Sequence, residues 1–509
     1  MNLLILGAGF MQKPAIESAK KLGYKTIVFD GNNNACCKNI CDEFYHIDLK
    51  DTEAIVAKAV EIHEKSALEA VFTAGTDFSF AVASVAKACN LLSHSVESAK
   101  NASDKIRMRS CFSKFGVSSP NFIEFNATMA RKTLDEFIEK HGFPLVVKPC
   151  DNMGGRGCRL VRTNGELESA LNEAIKQSKT SRAIVEQYMH GPEFSIDALV
   201  ANNEVTITGF ADRHIFFPPY FIEMGHSMPT NIDEQNYNKL IKTFVDGIHA
   251  LGLTHGAAKA DIKLTKNGPM IGEIAGRLSG GYMSGWTYPL ASGLNLTKQA
   301  LLIALGKEPV ELLAKRTEIK KLSSNTCRVY DYLCNKHCIE RAWLTIPGKI
   351  KNTTVKEDVE NLILPRLFPN NIGCFPTNNV EKAGNILITS DSRENAEKKV
   401  HDFLKTVYLE LDDTELTKEF LEMPLNTEFP PSAFSLPCEV YDFIEKNANF
   451  ATETLPEFLQ EYTFYTDWHG ITLKESFEII QKVKPHKKIC IKSLIRGGIQ
   501  GALFSKVKK

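Results

Sequence analysis

The sequence predicts an α/β protein of several domains. Its 509 residues exceed the roughly 250–300 residues at which one hydrophobic core stops growing. Strand-like and helix-like segments alternate along the first hundred residues, as they do in proteins built on parallel sheets. The composition, 43% hydrophobic and 24% charged with a formal net charge of zero, is typical of a globular protein and excludes a fibre or a disordered chain.

The first predicted domain covers residues 1–105. An apolar run at 2–6, a helical pattern from Ala15 to Leu22 and a β-rich run at 25–29 predict a βαβ unit. Further elements of this domain are predicted as a helix at 54–62, a strand at 70–72 and a helix at 78–89.

Gly7-Ala-Gly9 follows the first strand, and Asp30 lies about twenty residues further on, which is the spacing of a dinucleotide-binding fingerprint. The third position of that fingerprint is occupied by Gln12. Because a tight turn between a strand and a helix needs small residues for its geometry alone, a single GxG is weak evidence. We favour a structural turn and keep NAD binding as an alternative.

The second predicted domain covers 106–310 and opens at the turn-like segment 116–121. A hinge between two subdomains is expected near 184–193, around Gly191 and Pro192. The predicted elements are a helix at 130–141, a strand through Lys148, and strands at 183–189 and 193–200.

Two more regions follow. Residues 311–411 are predicted to form a small α/β cap, with a strand at 385–389 and a helix at 393–404. Residues 412–509 form an extension of unknown role, whose last part, from 482, carries lysines and arginines but no acid. We expect a folded appendage rather than a nucleic-acid arm, because its apolar residues indicate packing and no RNA or DNA module is visible.

The cysteines and the first residues predict a cytoplasmic protein. The thirteen cysteines are an odd number, and the N-terminal residues lack the basic region and apolar core of a signal peptide. No apolar run approaches the roughly 20 residues that span a bilayer. Ordinary thiols are favoured over a metal site, since no pair of CxxC motifs occurs. The groups considered for a metal are Cys36, Cys37 and Cys41, and Cys334, His337 and Cys338.

A lysine and a glycine loop occur together in the segment Pro144–Gly157. Lys148 lies on a predicted strand, and Met153-Gly-Gly-Arg-Gly157 has so little side-chain bulk that its backbone N–H groups can close over phosphates. Lys105, near a predicted helix, supplies a second cation from another element. This combination predicts a site for a polyphosphate.

Two acids lie on neighbouring predicted strands. Asp261 and Glu273 belong to runs at 259–264 and 270–275 that form a predicted hairpin with a turn at 265–269. In such a hairpin both carboxylates can face one cleft and bind Mg²⁺, which prefers oxygen ligands. A pair of solvated strand acids is the alternative, and a cluster of glycines argues against it: Gly272, Gly276, Gly280 and Gly281.

Taken together, these motifs resemble the ATP-grasp superfamily over roughly residues 1–410. The resemblance implies an N-terminal parallel-sheet βαβ domain, a two-subdomain ATP-grasp core and a C-terminal α/β cap, to which this chain adds its extension. The motifs that carry it, in the family's order, are Thr76-Asp77, Ser103-Asp-Lys105, Gly116-Val-Ser-Ser-Pro120, the Lys148 strand with its glycine loop, Glu186-Gln-Tyr-Met-His-Gly-Pro-Glu193 and Glu273-Ile-Ala-Gly-Arg277.

The resemblance also implies roles for single residues. Asp261 and Glu273 become magnesium ligands, and Arg277 stabilises the phosphoryl group in transfer. The implied ATP contacts are Lys105, Lys148, Gly154, Gly155, Arg156 and Gly157 at the phosphates, Glu186 with the backbone of Gln187 and Met189 at adenine, and Glu193 at the ribose.

The segment Phe221–Pro229 resembles the substrate side of the carboxylate–amine ligase branch. We expect His226 to lie in a polar loop and to face the acceptor, either as a catalytic group or as a hydrogen-bonding one. Specificity is expected in loops around 213–230 and 277–290. The implied substrate contacts are Glu223, His226, Arg277, Ser279 and Gly280.

One position departs from the family pattern. Many members carry Glu-Ile-Asn-Pro-Arg where this chain has Glu273-Ile-Ala-Gly-Arg277, so Ala275 replaces an amide that binds metal. The number of magnesium ions, one or two, therefore stays open, as does the use of Mn²⁺.

The expected function is that of an ATP-dependent carbon–nitrogen ligase acting on a small-molecule carboxylate and an amine through an acyl phosphate. The alternatives are an ATP-dependent carboxylase or carbamoyl-phosphate-type enzyme, an NAD-dependent oxidoreductase, and a non-catalytic ATP-binding scaffold. Neither a membrane nor nucleic acid is expected as a partner, and a homodimer is left open.

Overall fold

The computed structural model of the chain describes residues 1–126, 128, 131–355, 361–366 and 368–505. The chain divides into two units. The first consists of Met1–His214 and His226–Cys338, and the second of Ile215–Gly225 and Ile339–Lys509. Helices and strands occur in both units, and the predicted α/β class is confirmed. The boundaries of the four predicted domains stay predictions.

The first unit opens with a parallel sheet of order β3-β2-β1-β4. Its strands are β1 (Asn2–Leu6), β2 (Lys25–Asp30), β3 (Glu43–His46) and β4 (Leu68–Phe72). Its helices are α1 (Lys13–Lys21), α2 (Thr52–Lys65), α3 (Ser79–Ala88), α4 (Val96–Ser103) and α5 (Lys105–Phe115). The predicted βαβ unit is confirmed. Strand β1 is wholly buried, so both of its faces need apolar side chains, which explains the apolar run in the sequence. Strand β3 was missed, since it is short and only partly buried.

A second sheet, antiparallel and of order β5-β8-β6-β7, follows. Its elements are β5 (Phe122–Phe125), α6 (Arg131–His141), β6 (Leu145–Pro149), β7 (Arg159–Val161), α7 (Asn164–Gln177) and β8 (Ala183–Gln187). Leu134, Leu145 and Leu167 belong to its core. The predicted helix starts at Arg131 within the described residues, and Ala130 lies outside them. Strand β8 ends two residues before the predicted end.

The central sheet of the first unit has the order β13-β12-β9-β10, with β15 parallel to β10 and β14 paired to β15. Its strands are β9 (Glu193–Ala201), β10 (Glu204–Phe216), β11 (Ile222–Met228), β12 (Gly256–Thr265), β13 (Gly268–Ala275), β14 (Thr317–Glu318) and β15 (Arg328–Asp331). Strands β10 and β11 each contribute residues to both units. The accompanying helices are α8 (Glu234–Leu251), α9 (Tyr288–Ser292), α10 (Leu296–Ala304) and α11 (Val310–Lys315).

Helix α8 covers one face of this sheet and leaves the other for polar side chains. Phe244 and Ile248 of the helix share a core with Ile196 of β9 and Ile274 of β13. The predicted β12–β13 hairpin is confirmed, with a turn of two residues between Thr265 and Gly268.

Two segments predicted as loops have regular structure instead. Most of 213–230 lies in β10 and β11, and Met283–Thr287 forms a π-helix before α9. Gly225, within β11, sits where a Cβ would lie 2.0 Å from the carbonyl oxygen of Glu340. This glycine therefore permits the close approach of two backbones rather than a change of chain direction.

The second unit contains the strands β16 (His337–Trp343), β17 (Gly348–Thr354), β18 (Leu362–Pro365), β19 (Ile372–Gly373), β20 (Gly384–Ser390) and β21 (Tyr408–Leu411), and helix α12 (Arg393–Leu404). Strand β16 begins in the first unit. The strand orders are β16-β20-β18 and β19-β17-β21. The strand predicted at 385–389 and the helix predicted at 393–404 are confirmed.

The extension has a hydrophobic core of its own, which includes Phe434, Leu459, Leu473 and Leu494. Its elements are α13 (Glu415–Glu422), α14 (Cys438–Lys446), β22 (Ala451–Thr452), α15 (Leu473–Val483), β23 (Ile489–Cys490) and α16 (Ile491–Phe504). As far as residue 505 the extension is folded, as predicted. Among the described residues no helix is both long and apolar enough to cross a membrane.

Candidate functional site

The polar face of the central sheet follows from strand alternation. Along β9, Glu193, Ser195 and Asp197 lie on one face, while Phe194 and Ile196 point into the core on the other. The register of β9 with β12 pairs Glu193 with Lys263, Ser195 with Asp261, and Asp197 with Lys259. Acids and bases from two neighbouring strands are thereby brought together.

The two predicted metal ligands meet on this face. Asp261 and Glu273 are cross-strand partners in the β12–β13 hairpin. The hydroxyl of Ser195 donates to Asp261 Oδ1 at 3.0 Å, Arg213 Nη1 lies 3.3 Å from the same oxygen, and the ammonium of Lys259 pairs with it as well. Two adjacent carboxylates are oxygen donors of the kind that suits Mg²⁺, so the residues present fit this ion.

The described residues contain no group of three His, Cys, Asp or Glu side chains that could hold a metal ion. Ala275, at the position where many family members have an amide, is buried and is the cross-strand partner of Lys259.

Lys105 is the first residue of α5 and is almost completely buried. Its Nζ lies 3.7 Å from Glu273 Oε2 and donates to the carbonyl oxygen of Asn152 at 2.8 Å. Burial lowers the pKa of Lys105, but Glu273 and Asp77 outweigh it and raise the pKa above its usual value. Burial likewise raises the pKa of Glu273, yet Lys105 brings it below the usual value. Both groups are therefore charged at neutral pH.

Lys148 on β6 is held by a buried ion-pair cluster. Its Nζ lies 2.7 Å from Glu186 Oε2, and Nε of Arg109 lies 2.7 Å from Glu186 Oε1. Arg109 also donates to the carbonyl oxygen of Gly272 at 2.6 Å. Burial raises the pKa of Glu186, but Arg109 and Lys148 lower it below its usual value. Both carboxylate oxygens of Glu186 are engaged by cations, and its contact with adenine stays a prediction.

The glycine loop has the backbone that its sequence predicts. Gly154, Gly155 and Gly157 have φ values of 72°, 76° and 68°, in the left-handed region that side chains disfavour. Arg156 is exposed, and its Nη1 lies 3.4 Å from Asn152 Oδ1. Asn152 thus joins the loop to Lys105, so the two phosphate-binding elements predicted separately are connected.

The predicted hinge segment lies beside further cations. The N–H of Gln187 donates to the carbonyl oxygen of Asn121 at 3.0 Å. Lys263 Nζ lies 3.3 Å from the carbonyl oxygen of Met189 and 3.4 Å from Glu193 Oε2. Arg213 pairs with the other oxygen of Glu193. The proposed adenine and ribose contacts of these residues stay predictions.

Arg277, Ser279 and Gly280 follow β13 directly. Arg277 Nη1 donates to the carbonyl oxygen of Leu278 at 3.2 Å, and its buried Nε has no hydrogen-bond partner among the described residues. The hydroxyl of Ser279 donates to Asp197 Oδ2. The carbonyl of Gly280 accepts from the N–H of Met283 at 3.1 Å. Burial raises the pKa of Asp197 to about 6, although Ser279 and Lys259 act in the opposite direction.

The prediction that His226 lies in a polar loop is wrong. His226 and Glu223 are both buried residues of β11, and only His226 belongs to the first unit. Glu223 belongs to the second unit, where its N–H donates to Asn379 Oδ1 and its carbonyl accepts from Lys382 Nζ, both at 2.7 Å. The polar residues of this segment suggested a loop. The backbone hydrogen bonds of β11 include those to a strand that is distant in the sequence, and the local sequence does not reveal such pairing.

Several charged residues of the site were not predicted. They share one signal, a charged residue at alternate positions of an otherwise apolar strand or on the buried side of a helix. Such a residue needs a partner inside the fold. These residues are Arg109, Asp197, Arg213, Lys259 and Lys263.

The comparisons with known proteins agree with this geometry. Residues 141–285 match the ATP-grasp domain model. Among curated proteins, the uncharacterized protein y4rH of Sinorhizobium fredii is 24% identical over 270 residues, which cover 52% of this chain and 55% of that protein. The aligned part thus spans about half the length of that relative.

Solved structures match a larger part of the chain. The L-amino acid ligase of Bacillus licheniformis (TM-score 0.66, 21% identity) and the phosphoribosylglycinamide synthetase of Anaerococcus prevotii (0.62, 22%) each match 81% of this chain and 99% of their own. The biotin carboxylase domain of the Hydrogenobacter thermophilus 2-oxoglutarate carboxylase, solved with MgADP, ADP and bicarbonate, matches 82% of this chain and 92% of its own (0.62, 17%). Residues 141–285 therefore form an ATP-grasp domain, and about four fifths of the chain shares the fold of these solved structures.

Proposed function

We propose that this protein is an ATP-dependent ligase that joins a small carboxylate, such as an amino acid, to an amine. The observation that carries the proposal is the pairing of Asp261 and Glu273 on one sheet face, with Lys105 3.7 Å from Glu273 and joined through Asn152 to the glycine loop. Cations, a loop of backbone donors and two adjacent oxygen ligands are what a magnesium nucleotide requires.

In the proposed reaction an oxygen of the substrate carboxylate attacks the γ-phosphorus of ATP, and the bond to the β,γ-bridging oxygen breaks. ADP and an acyl phosphate result. The amine then attacks the acyl carbon, phosphate leaves with the bonding electron pair, and the amine nitrogen loses a proton. Lys105, Lys148 and Arg277 would stabilise charge on the phosphoryl oxygens, because phosphoryl transfer depends mainly on positioning and electrostatics.

Asp261 and Glu273 would hold magnesium, which neutralises phosphate charge when it is bound. Lys259 and Arg213, which pair with Asp261, are further cations beside the proposed metal site. One ion is the simplest count, because Ala275 stands where many family members have an amide, and a second ion would rely on the nucleotide and water.

An ATP-dependent carboxylase or carbamoyl-phosphate-type enzyme is the second candidate. It is favoured by the likeness to the 2-oxoglutarate carboxylase domain, whose structure holds bicarbonate. Bicarbonate would replace the substrate carboxylate in the same first step. Release of ADP that depends on bicarbonate and not on added amino acid would support this candidate.

The contacts of the N-terminal turn disfavour the NAD-dependent oxidoreductase. The Gln12 side chain accepts from the N–H of Gly9 at 2.9 Å and donates to the carbonyl oxygen of Ala74 at 2.5 Å. Asp30, the residue expected at a ribose, accepts from the N–H groups of Ala8 and Asn32, both at 2.7 Å. The donors and acceptors that a dinucleotide would use are thus engaged within the turn.

The test is release of ADP and phosphate by the full chain with Mg-ATP, measured against a matrix of amino acids, small carboxylates and amines, with mass spectrometry of the products. Lys148→Ala and Glu273→Ala are each expected to abolish release, since each removes a charge from the proposed nucleotide site. Lys132→Ala, at a lysine whose side chain is 86% exposed, is the matched control and should leave release unchanged.

A non-catalytic ATP-binding scaffold is the remaining alternative. It would be preferred if the wild-type protein binds Mg-ATP in calorimetry but yields neither ADP nor phosphate with any member of the matrix. In that case the folded extension, residues 412–509, would be the module to examine for a binding partner.

A further inference from the structure

Ser279 is anchored to the central sheet through its side chain. Its side chain is almost fully buried, and its hydroxyl donates to Oδ2 of Asp197, which is completely buried on β9. The hydroxyl of Ser279 is thus engaged within the protein, and its predicted substrate contact stays a prediction.

Asp197 is an unusual residue for the centre of a sheet. It lies between Lys259 on β12 and Gly209 on β10, and its second oxygen, Oδ1, has no hydrogen-bond partner among the described residues. Burying a carboxylate with one oxygen unpaired is unfavourable for folding. A neutral acceptor at this position would cost less, so stability does not explain why residue 197 is an aspartate.

The segment that carries Arg277 is held at several points. The carbonyl of Leu278 accepts from the N–H of Gly75 at 3.2 Å and from Arg277 Nη1 at 3.2 Å. The carbonyl of Ser279 accepts from the hydroxyl of Ser284 at 2.6 Å. The bond from Ser279 to Asp197 adds a side-chain anchor to the same central sheet that carries Asp261.

We propose that Asp197 is a positioning residue for Arg277. By holding Ser279 against the sheet, it keeps residues 277–281 in place and aims the Arg277 guanidinium at the phosphoryl group in transfer. The inference rests on the proposed function, in which Arg277 stabilises that group. Displacement of a reacting or stabilising group by about 1 Å can cost on the order of 100-fold in rate.

The test compares two ligands of the full-length protein by titration calorimetry, Mg-ADP alone and Mg-ADP with aluminium fluoride, an analogue of the phosphoryl group in transfer. Asp197→Ala and Ser279→Ala should bind Mg-ADP within about 2-fold of wild type but the aluminium fluoride complex about 10–100-fold more weakly. Asp197→Asn keeps an acceptor for Ser279 and should stay within about 3-fold of wild type for both ligands.

Thr208→Val is the matched control, because it removes a hydroxyl that is buried in the same sheet and has no hydrogen-bond partner among the described residues. It should change neither affinity. The inference would be overturned if Asp197→Ala and Ser279→Ala weakened the binding of both ligands equally. It would also be overturned if these variants bound the aluminium fluoride complex as tightly as wild type does.

Hydrogen exchange of the amides in 277–284 of the ligand-free protein separates this inference from the proposed function. Exchange there should become at least about 10-fold faster in Asp197→Ala and Ser279→Ala but not in Asp197→Asn or Thr208→Val. Unchanged exchange in the two alanine variants refutes the anchor whatever the nucleotide data show. Failure of the wild-type protein to bind Mg-ADP, with the exchange pattern as expected, refutes the nucleotide site and leaves the anchor standing.

Discussion

At the residue scale, buried charged side chains hold the lysine of the candidate site in place. Arg109 is fully buried, and its ion pair with Glu186 also fixes Lys148. A buried pair adds little net stability, because desolvation offsets the attraction, but breaking it leaves a charge without a partner. Arg109 and Glu186 are therefore best understood as supports that hold Lys148 in position.

We expect Arg109→Met to lower the free energy of unfolding by about 3–5 kcal/mol, because it leaves Glu186 with one cation instead of two in a buried place. The double variant Arg109→Met with Glu186→Gln should recover part of this loss. Urea denaturation followed by circular dichroism measures both, with the exposed Lys132→Met as control, expected within about 0.5 kcal/mol of wild type. A loss below about 1 kcal/mol in Arg109→Met would contradict a buried charge pair.

The raised pKa of Asp197 predicts how the free energy of unfolding depends on pH. Burial raises its pKa to about 6, above its usual 3.8. Between these values the folded state keeps a proton that the unfolded state releases, so this group lowers stability as the pH rises from about 4 to about 6. The free energy of unfolding of Asp197→Asn, relative to wild type, should rise by roughly 2–3 kcal/mol over that window. Denaturation at a series of pH values tests this, and a constant difference would argue against the raised pKa.

At the scale of elements, the site depends on a loop and a hairpin whose geometry is local. The glycine loop needs three residues with positive φ, and the β12–β13 hairpin sets the pairing of Asp261 with Glu273. Both are strongly specified by short stretches of sequence. The glycine loop and the pair of acids on the hairpin both belong to the first unit.

The effect of loop geometry can be separated from general strain by two matched glycines. Gly154 has a φ of 72° and Gly116, the C-cap of α5, has 69°, and a Cβ at either would meet no atom within 4 Å. Alanine at either position should lower stability by about 1 kcal/mol, the cost of a left-handed residue with a side chain. Only Gly154→Ala should weaken ATP binding, by about 5-fold, because its preferred backbone no longer matches the loop.

Calorimetric titration with Mg-ATP and urea denaturation of both variants provide the two readouts. Equal loss of nucleotide affinity in Gly154→Ala and Gly116→Ala would show that the loop has no special part in binding.

At the scale of the whole molecule, the proposed nucleotide site belongs to the first unit, while the folded extension belongs to the second. Trp286 lies in the first unit, and Trp343 and Trp468 lie in the second. The three tryptophans of the chain can therefore report on the two units separately.

Mg-ATP at about 100 times its dissociation constant should stabilise the first unit by about 2.7 kcal/mol, since a ligand that binds only the folded state shifts the unfolding equilibrium. The expected rise in Tm is about 2–4 °C. Thermal unfolding followed by tryptophan fluorescence measures it, and the Trp286→Phe variant identifies the signal of the first unit. Lys148→Ala should lose the rise, and stabilisation by NADH without stabilisation by Mg-ATP would reject the proposed function.

Much of the fold was predictable because it depends on local pattern. The apolar run of β1 and the helix over 393–404 were predicted with the observed bounds, and the β12–β13 hairpin with errors of a few residues at the ends of its strands. The errors in 213–230 arose where pairing with distant strands, rather than local preference, decides the structure.

The sequence by itself determined the residue types of the candidate site: the glycine loop, the two lysines, the two acids and Arg277. Only the tertiary structure decided how they are connected, through Arg109 behind Lys148, Asn152 between Lys105 and the loop, and Asp197 beneath Ser279. The physical reason is that a motif records which groups are close along the chain. A buried charge finds its partner across 47 to 82 residues, and only the packed sheets and helices bring such groups within a hydrogen bond of each other.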